Sequence, residues 1–124
     1  MKKKKVLIVD DELDLAEAVK TALVDEGYEV HIAPDGKAGL MAALELKPDL
    51  IFLDIIMPEM DGIKMLKELR QDEWGKKADV IVMTVVDDMN KIAEVLEDGS
   101  EGYILKSDVT LQKVVEKAKR KLSS

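Results

Sequence analysis

Side chains suited to phosphorus chemistry stand at the ends of short apolar runs in this chain. Asp10 and Asp11 follow Val6-Leu7-Ile8-Val9, Asp54 follows Leu50-Ile51-Phe52-Leu53, Thr84 follows Val80-Ile81-Val82-Met83, and Lys106 follows Tyr103-Ile104-Leu105. If these runs are parallel strands, the polar residues share one sheet edge, where open α/β sheets form their sites. Three carboxylates gathered there repel. At about 4 Å and an effective dielectric of roughly 20, each like pair costs about 4 kcal/mol before screening. A hard divalent cation offsets that cost, and Mg²⁺, which keeps its waters and bridges to phosphate, is the expected cofactor. Lys106 adds a fixed positive charge and Thr84 a hydroxyl donor. In such a setting ionised Asp54 is a nucleophile toward phosphorus that needs no general base, and its product is an acyl phosphate.

The run that must position Asp54, residues 50–53, is bounded by Pro48-Asp49 and Met57-Pro58. Its unbroken apolar character marks a strand buried on both faces of a parallel sheet. Before it, a strand at 6–10 leads into a helix with Leu15, Val19, Ala22 and Leu23 on one face, closed at Glu26-Gly27, where glycine suits a left-handed cap. A strand at 28–33, the turn Pro34-Asp35-Gly36 and a helix at 38–46 follow, the helix carrying Leu40, Ala43 and Leu44 and stopping before Pro48. After Asp61-Gly62, the spacing of Ile63, Leu66 and Leu69 predicts a third helix, and a polar break runs over 71–78 around Trp74 and Gly75. A strand at 80–84 precedes a helix with Ile92, Val95 and Leu96 that ends at Gly99. A short strand at 102–105 and an amphipathic helix with Leu111, Val114, Val115, Ala118 and Leu122 complete the pattern. Five successive β-α units predict an α/β fold, a five-stranded, doubly wound parallel sheet with right-handed crossovers.

Composition narrows the function classes. A chain of 124 residues with no repeat and no low-complexity tract is expected to be a single domain over 1–124. The absence of cysteine excludes disulfides, thiolate metal sites and a thiol nucleophile, and suits a reducing compartment. Behind Met1-Lys2-Lys3-Lys4-Lys5 the apolar run is too short for an export signal, and no stretch approaches the roughly 20 apolar residues of a membrane span. A soluble, cytoplasmic protein is therefore expected. The net charge of −7 argues against nucleic acid as a direct partner.

Val9-Asp10-Asp11, then Asp54-Ile55-Ile56-Met57-Pro58-Glu59-Met60-Asp61-Gly62, then Thr84, then Tyr103-Ile104-Leu105-Lys106, resemble in order and spacing a response-regulator receiver domain of two-component signalling. The resemblance covers essentially the whole chain. It implies a flavodoxin-like (βα)5 topology with strand order 2-1-3-4-5. It also implies phosphorylation of Asp54 by transfer from a phosphohistidine on a sensor histidine kinase or phosphotransfer protein. By the same resemblance Asp11, Asp54 and the backbone carbonyl of Ile56 ligate Mg²⁺ directly, Asp10 acts through a water, and Lys106 contacts the phosphoryl group. Thr84 would swing toward that group and Tyr103 turn inward, moving the surface of the fourth helix, fifth strand and fifth helix that meets an output protein. Phosphotransfer would be self-catalysed, with slow autodephosphorylation, rather than the work of a dedicated enzyme. The phosphorylated form is a candidate homodimer.

Three features depart from the family pattern. Ser107 stands where proline usually follows the lysine, and a cis bond before serine costs about 3–4 kcal/mol. Val85 replaces a usually small residue. Ile56 and Val86 are apolar where many relatives carry a polar group near the attacking water, and such a dry rim is expected to slow hydrolysis of the acyl phosphate. Val85 and Ser107 motivate an alternative, a receiver-like interaction module that works without phosphorylation. An aspartyl-nucleophile phosphatase would need an acid/base carboxylate where Ile56 stands, and Asp10-Asp11 would repel a flavin phosphate. His31 falls inside the second strand, outside any site. The methionines are expected to pack, with Met57 and Met60 pinning the loop after the central strand. Trp74 reads as a surface plug, and Lys113, Lys117, Lys119, Arg120 and Lys121 as the solvated face of the last helix, favourable to its dipole.

Overall fold

Helices cover both faces of the sheet in this protein, which is why its inner strands are apolar without alternation. The computed structural model describes residues 3–55, 61–84, 90, 93, 103–106 and 110–123. Its elements are β1 (Lys5–Val9), α1 (Leu13–Asp25), β2 (Glu29–Ala33), α2 (Gly36–Leu46), β3 (Leu50–Leu53) and α3 (Gly62–Leu69). A 3-10 turn (Gly75–Lys77), β4 (Val80–Thr84), β5 (Tyr103–Leu105) and a last helix (Leu111–Leu122) follow. The five strands pair in the order β2-β1-β3-β4-β5, every pair parallel, as the resemblance implied. No helix among the described residues is long and apolar enough to cross a membrane.

Successive strand residues enter different cores, as a period of two requires. Val6, Ile8, Leu50, Phe52, Ile81 and Met83 pack with Ala16, Val19 and Leu23 of α1 and with Val114, Ala118 and Leu122 of the last helix. Leu7, Val9, Ile51, Leu53, Val80 and Val82 pack on the other face with Ala43 of α2 and Met65, Leu66 and Leu69 of α3. Each fully buried side chain of this size contributes about 1.5–3 kcal/mol. The central strand, flanked by β1 and β4 and covered on both sides, is therefore a rigid mount for the residue at its end.

Local chemistry sets the helix ends. Gly27 adopts φ 96° just beyond α1, the left-handed conformation expected there. Asp35, Asp61 and Thr110 accept hydrogen bonds from the backbone N–H of Ala38, Lys64 and Lys113, capping α2, α3 and the last helix. The buried face of α2 is shifted from the expected one: Ala43 faces the core as expected, with Leu40 partly buried, but Gly39 joins it and Leu44 is exposed. Close approach to β1 is the reason, since a Cβ on Gly39 would lie 2.6 Å from Val9 Cγ1. In α1, Ala16 joins Val19 and Leu23 in the core, and Ala22 is only partly buried.

The polar break at 71–78 is ordered by its own hydrogen bonds. Asp72 Oδ2 accepts from the N–H of Trp74 and Gly75 at 3.0 Å, and Arg70 Nη1 donates to the carbonyls of Gly75 and Ala78 at 2.6 and 2.8 Å. Trp74 packs against the core formed with α2 and α3. The basic face of the last helix is partly engaged: Lys119 pairs with Glu26 at the C-cap of α1 and Lys121 lies 3.5 Å from Asp79. Asn90 and Ala93 are helical where the fourth helix was expected, but Ile92, Val95, Leu96, Gly99 and Gly102 lie outside the described residues.

Candidate functional site

Parallel pairing brings the carboxyl ends of β1, β3, β4 and β5 to one edge. The Asp54 N–H donates to the Val9 carbonyl at 2.9 Å and the Asp10 N–H to the Ala33 carbonyl at 3.0 Å, so both aspartates continue the ladder one residue past their strands. Thr84 is the last residue of β4, in register with Leu105, the neighbour of Lys106. Among the described residues, the buried polar side chains are Asp10, Asp54 and Thr84, each expected at the site from the sequence. Burying such groups is costly unless they are partnered, so their clustering at one edge marks a purpose other than packing.

Lys106 is a partner of both aspartates. Its side chain is only 4% exposed, and Nζ donates to Asp10 Oδ1 at 2.9 Å, Glu12 Oε1 at 2.9 Å and Asp54 Oδ2 at 3.0 Å. Nζ also lies 2.8 Å from Asp10 Oδ2, but the hydrogen bond is directed at Oδ1, and Oδ2 is buried without a hydrogen-bond partner. Oδ1 accepts a second bond, from the Glu12 N–H at 2.9 Å. Burial pushes the Asp10 carboxyl above the ordinary carboxylate range. The negative charge of Asp54 adds to that rise, while Lys106 and the Glu12 N–H oppose it. Burial alone would lower the Lys106 ammonium, but hydrogen bonds to Asp10, Glu12 and Asp54 outweigh it and hold the ammonium well above its usual value.

Asp10, Glu12 and Asp54 each offer a carboxylate oxygen, and these oxygens lie within 4.8 Å of one another. With one ammonium among three carboxylates, the four side chains carry a formal charge of −2. An all-oxygen donor set, excess negative charge and a buried carboxylate oxygen lacking a hydrogen bond fit a hard divalent ion of the Mg²⁺ kind.

Other expected residues are placed as follows. Asp11 is exposed and stands outside this group, whereas Glu12, which the sequence reading did not select, stands within it. In the sequence only its position next to Asp10-Asp11 points to Glu12; the structure adds that it stands at the N-cap of α1 with no side-chain cap bond. Tyr103 lies on β5 opposite Val82 and is 36% exposed. His31 on β2 bonds Glu29 at 2.8 Å. Ile56, Met57, Met60, Val85, Val86 and Ser107, and with them the expected Ile56 carbonyl ligand and the Lys106–Ser107 peptide, lie outside the described residues.

The model of one protein family, described as the response regulator receiver domain, matches residues 6–119. The regulatory protein AtoC of Escherichia coli is 39% identical over 102 residues, covering 82% of this chain; the chain spans 22% of AtoC's length. A receiver domain protein from Methanospirillum hungatei superposes with a TM-score of 0.91 at 30% identity, covering 98% of this chain and 95% of that one. The response regulator TrrA of Thermotoga maritima, solved in complex with Mg²⁺ and BeF, superposes with a TM-score of 0.82 at 31% identity, covering 96% of this chain and 99% of that one.

Proposed function

This chain belongs to the response regulator receiver family of two-component systems, and from that premise we propose that it is a phosphoacceptor switch in which Asp54 takes the phosphoryl group. The observation that carries the reading is the contact of Asp54 Oδ2, on a side chain 3% exposed, with Lys106 Nζ at 3.0 Å. An Asp54 oxygen attacks the phosphorus of a phosphohistidine on a sensor kinase or phosphotransfer protein. The O–P bond forms, the N–P bond breaks, and its electron pair returns to the imidazole, which takes a proton from water. Lys106 stabilises charge on the transferring oxygens, and a buried site makes that interaction stronger than it would be in water.

Mg²⁺ would be held by Asp11, Asp54 and the Ile56 carbonyl, with Asp10 acting through a water; when bound it neutralises charge on the phosphoryl oxygens. Asp10 and Asp54 belong to the acidic cluster, and the Mg²⁺ complex of the similar TrrA supports the choice of ion; Asp11 and the Ile56 carbonyl are assigned from the family resemblance alone. Thr84, fully buried at the end of β4, would turn toward the phosphoryl group, and the partly exposed Tyr103 would follow inward. That movement presents an altered surface to an output protein, whether separate or fused. The same reading takes residues 1–124 as one receiver domain working in the cytoplasm.

Intact mass spectrometry after incubation with acetyl phosphate, with and without Mg²⁺, tests the proposal. The native chain is expected to gain one phosphoryl group only with Mg²⁺, and Asp54→Asn to gain none. An adduct that persists in Asp54→Asn, or a native protein that binds Mg²⁺ and stays unmodified, would overturn it; the second result would favour a phosphorylation-independent module.

A further inference from the structure

A lysine ammonium has three protons to donate, and in Lys106 all three are engaged, by Asp10 Oδ1, Glu12 Oε1 and Asp54 Oδ2. Lys106 can therefore bond a phosphoryl oxygen only by releasing one of these contacts. Asp10 is fully buried, and taking its cation away would leave a desolvated anion. Asp54 carries the incoming group itself. Glu12 differs from both, because its side chain is 55% exposed and water replaces the lost bond at little cost. Glu12 also occupies the N-cap of α1, where short polar side chains ordinarily bond a first-turn N–H. It makes no such bond, and its carboxylate reaches Lys106 instead.

We propose that Glu12 is a latch on Lys106, a positioning residue that holds the ammonium in the resting site and releases it to the phosphoryl group, so setting how fast Asp54 is modified. The proposal rests on the reading of Asp54 as phosphoacceptor. Being the most exposed of the three carboxylates, Glu12 also places negative charge at the mouth of the site and opposes an anionic donor before it arrives.

The test follows intact mass over time at saturating Mg²⁺ for the native chain, Glu12→Gln and Glu12→Ala. The donors are acetyl phosphate and the less negatively charged phosphoramidate. Because the Glu12 side chain makes no cap bond, neither substitution removes a hydrogen bond from the start of α1. Glu12→Ala is expected to be modified about two- to fivefold faster than native with acetyl phosphate, the size of a half-exposed ion pair. Glu12→Gln, whose amide oxygen still accepts from Lys106, falls between. The gain is smaller with phosphoramidate, a dependence on donor charge that a merely structural role would not produce. The Mg²⁺ concentration for half-maximal rate stays within about twofold of native, as expected when the change is confined to the lysine. Variants that react at the native rate or slower would overturn the latch while leaving the phosphoacceptor reading intact. A rise of about tenfold in the Mg²⁺ requirement would also overturn it, by making Glu12 a cation ligand. A native protein that gains no phosphoryl group overturns both readings together.

Discussion

Burial raises the pKa of Asp10 above its ordinary 3.8, and the shift has a definite sign in stability. Between the ordinary and the raised value the folded protein keeps a proton that the unfolded chain has lost. Stability therefore falls as pH rises through that window and stays reduced at neutral pH. Lys106 does not confound the trend. Its contribution is fully present below the ordinary 10.5 and is lost only as pH rises through its raised value, so it is constant from pH 4 to 8. Asp10→Asn, neutral throughout, is expected to raise Tm at pH 7 by about 2–5 °C, on the order of 1 kcal/mol, with the gain shrinking toward pH 4. Calorimetry in metal-free buffer over that range checks it, and an unchanged or lower Tm at pH 7 would mean that the pair with Lys106 outweighs desolvation. At this scale Asp10, Asp54, Thr84 and Lys106 were legible in the sequence because each follows an apolar run. Glu12 was not, since a glutamate at a helix start reads as a favourable charge on the dipole, and only the fold brings it to Lys106.

Between β3 and α3 the packing is backbone against backbone. The Gly62 N–H donates to the Ile55 carbonyl at 3.2 Å, and a Cβ at Gly62 would lie 2.2 Å from the Asp54 carbonyl oxygen and 2.6 Å from Ile55 Cα. Main chain immediately past a paired strand cannot yield as a side chain does, so Gly62→Ala must displace either α3 or the residue that carries the site. The expected cost is about 1–3 kcal/mol in urea unfolding, with slower labelling by acetyl phosphate even where the protein is fully folded. Gly39→Ala meets the side chains of Val9 and Met65 instead and should fall at the lower end of that range, with labelling unchanged. Equal labelling rates in the two variants would remove the link between Gly62 and Asp54. Periodicity identified the last helix and most of α1, whose buried faces are formed largely by larger apolar residues. In α2 it found Ala43 and the partly buried Leu40 but placed exposed Leu44 on the face and missed Gly39, because close approach to β1 selects a glycine that a pattern of apolar side chains does not register.

The site exists only in the folded molecule, since Asp10 and Lys106 are 96 residues apart in the chain and meet through the sheet. The alternation of apolar strands and helices made the parallel, doubly covered sheet legible. The order β2-β1-β3-β4-β5 was not, because apolar runs do not encode which neighbour each strand takes, and it came from family resemblance. A ligand that needs this convergence binds the folded state and not the unfolded chain, so it must stabilise by mass action. Mg²⁺ at ten times its Kd should contribute about 1.4 kcal/mol, a rise of about 5 °C in Tm for a domain of this length. Screening of a site with formal charge −2 would also raise Tm, but any salt supplies it and its effect scales with ionic strength. The two causes separate in a titration of MgCl₂ against NaCl at matched ionic strength, repeated on Asp54→Asn. Specific binding predicts a saturable Mg²⁺ effect that NaCl does not reproduce and that Asp54→Asn greatly weakens. Coincident curves for the two salts would reduce the acidic edge to general electrostatics and take away the cation on which the proposed phosphotransfer depends.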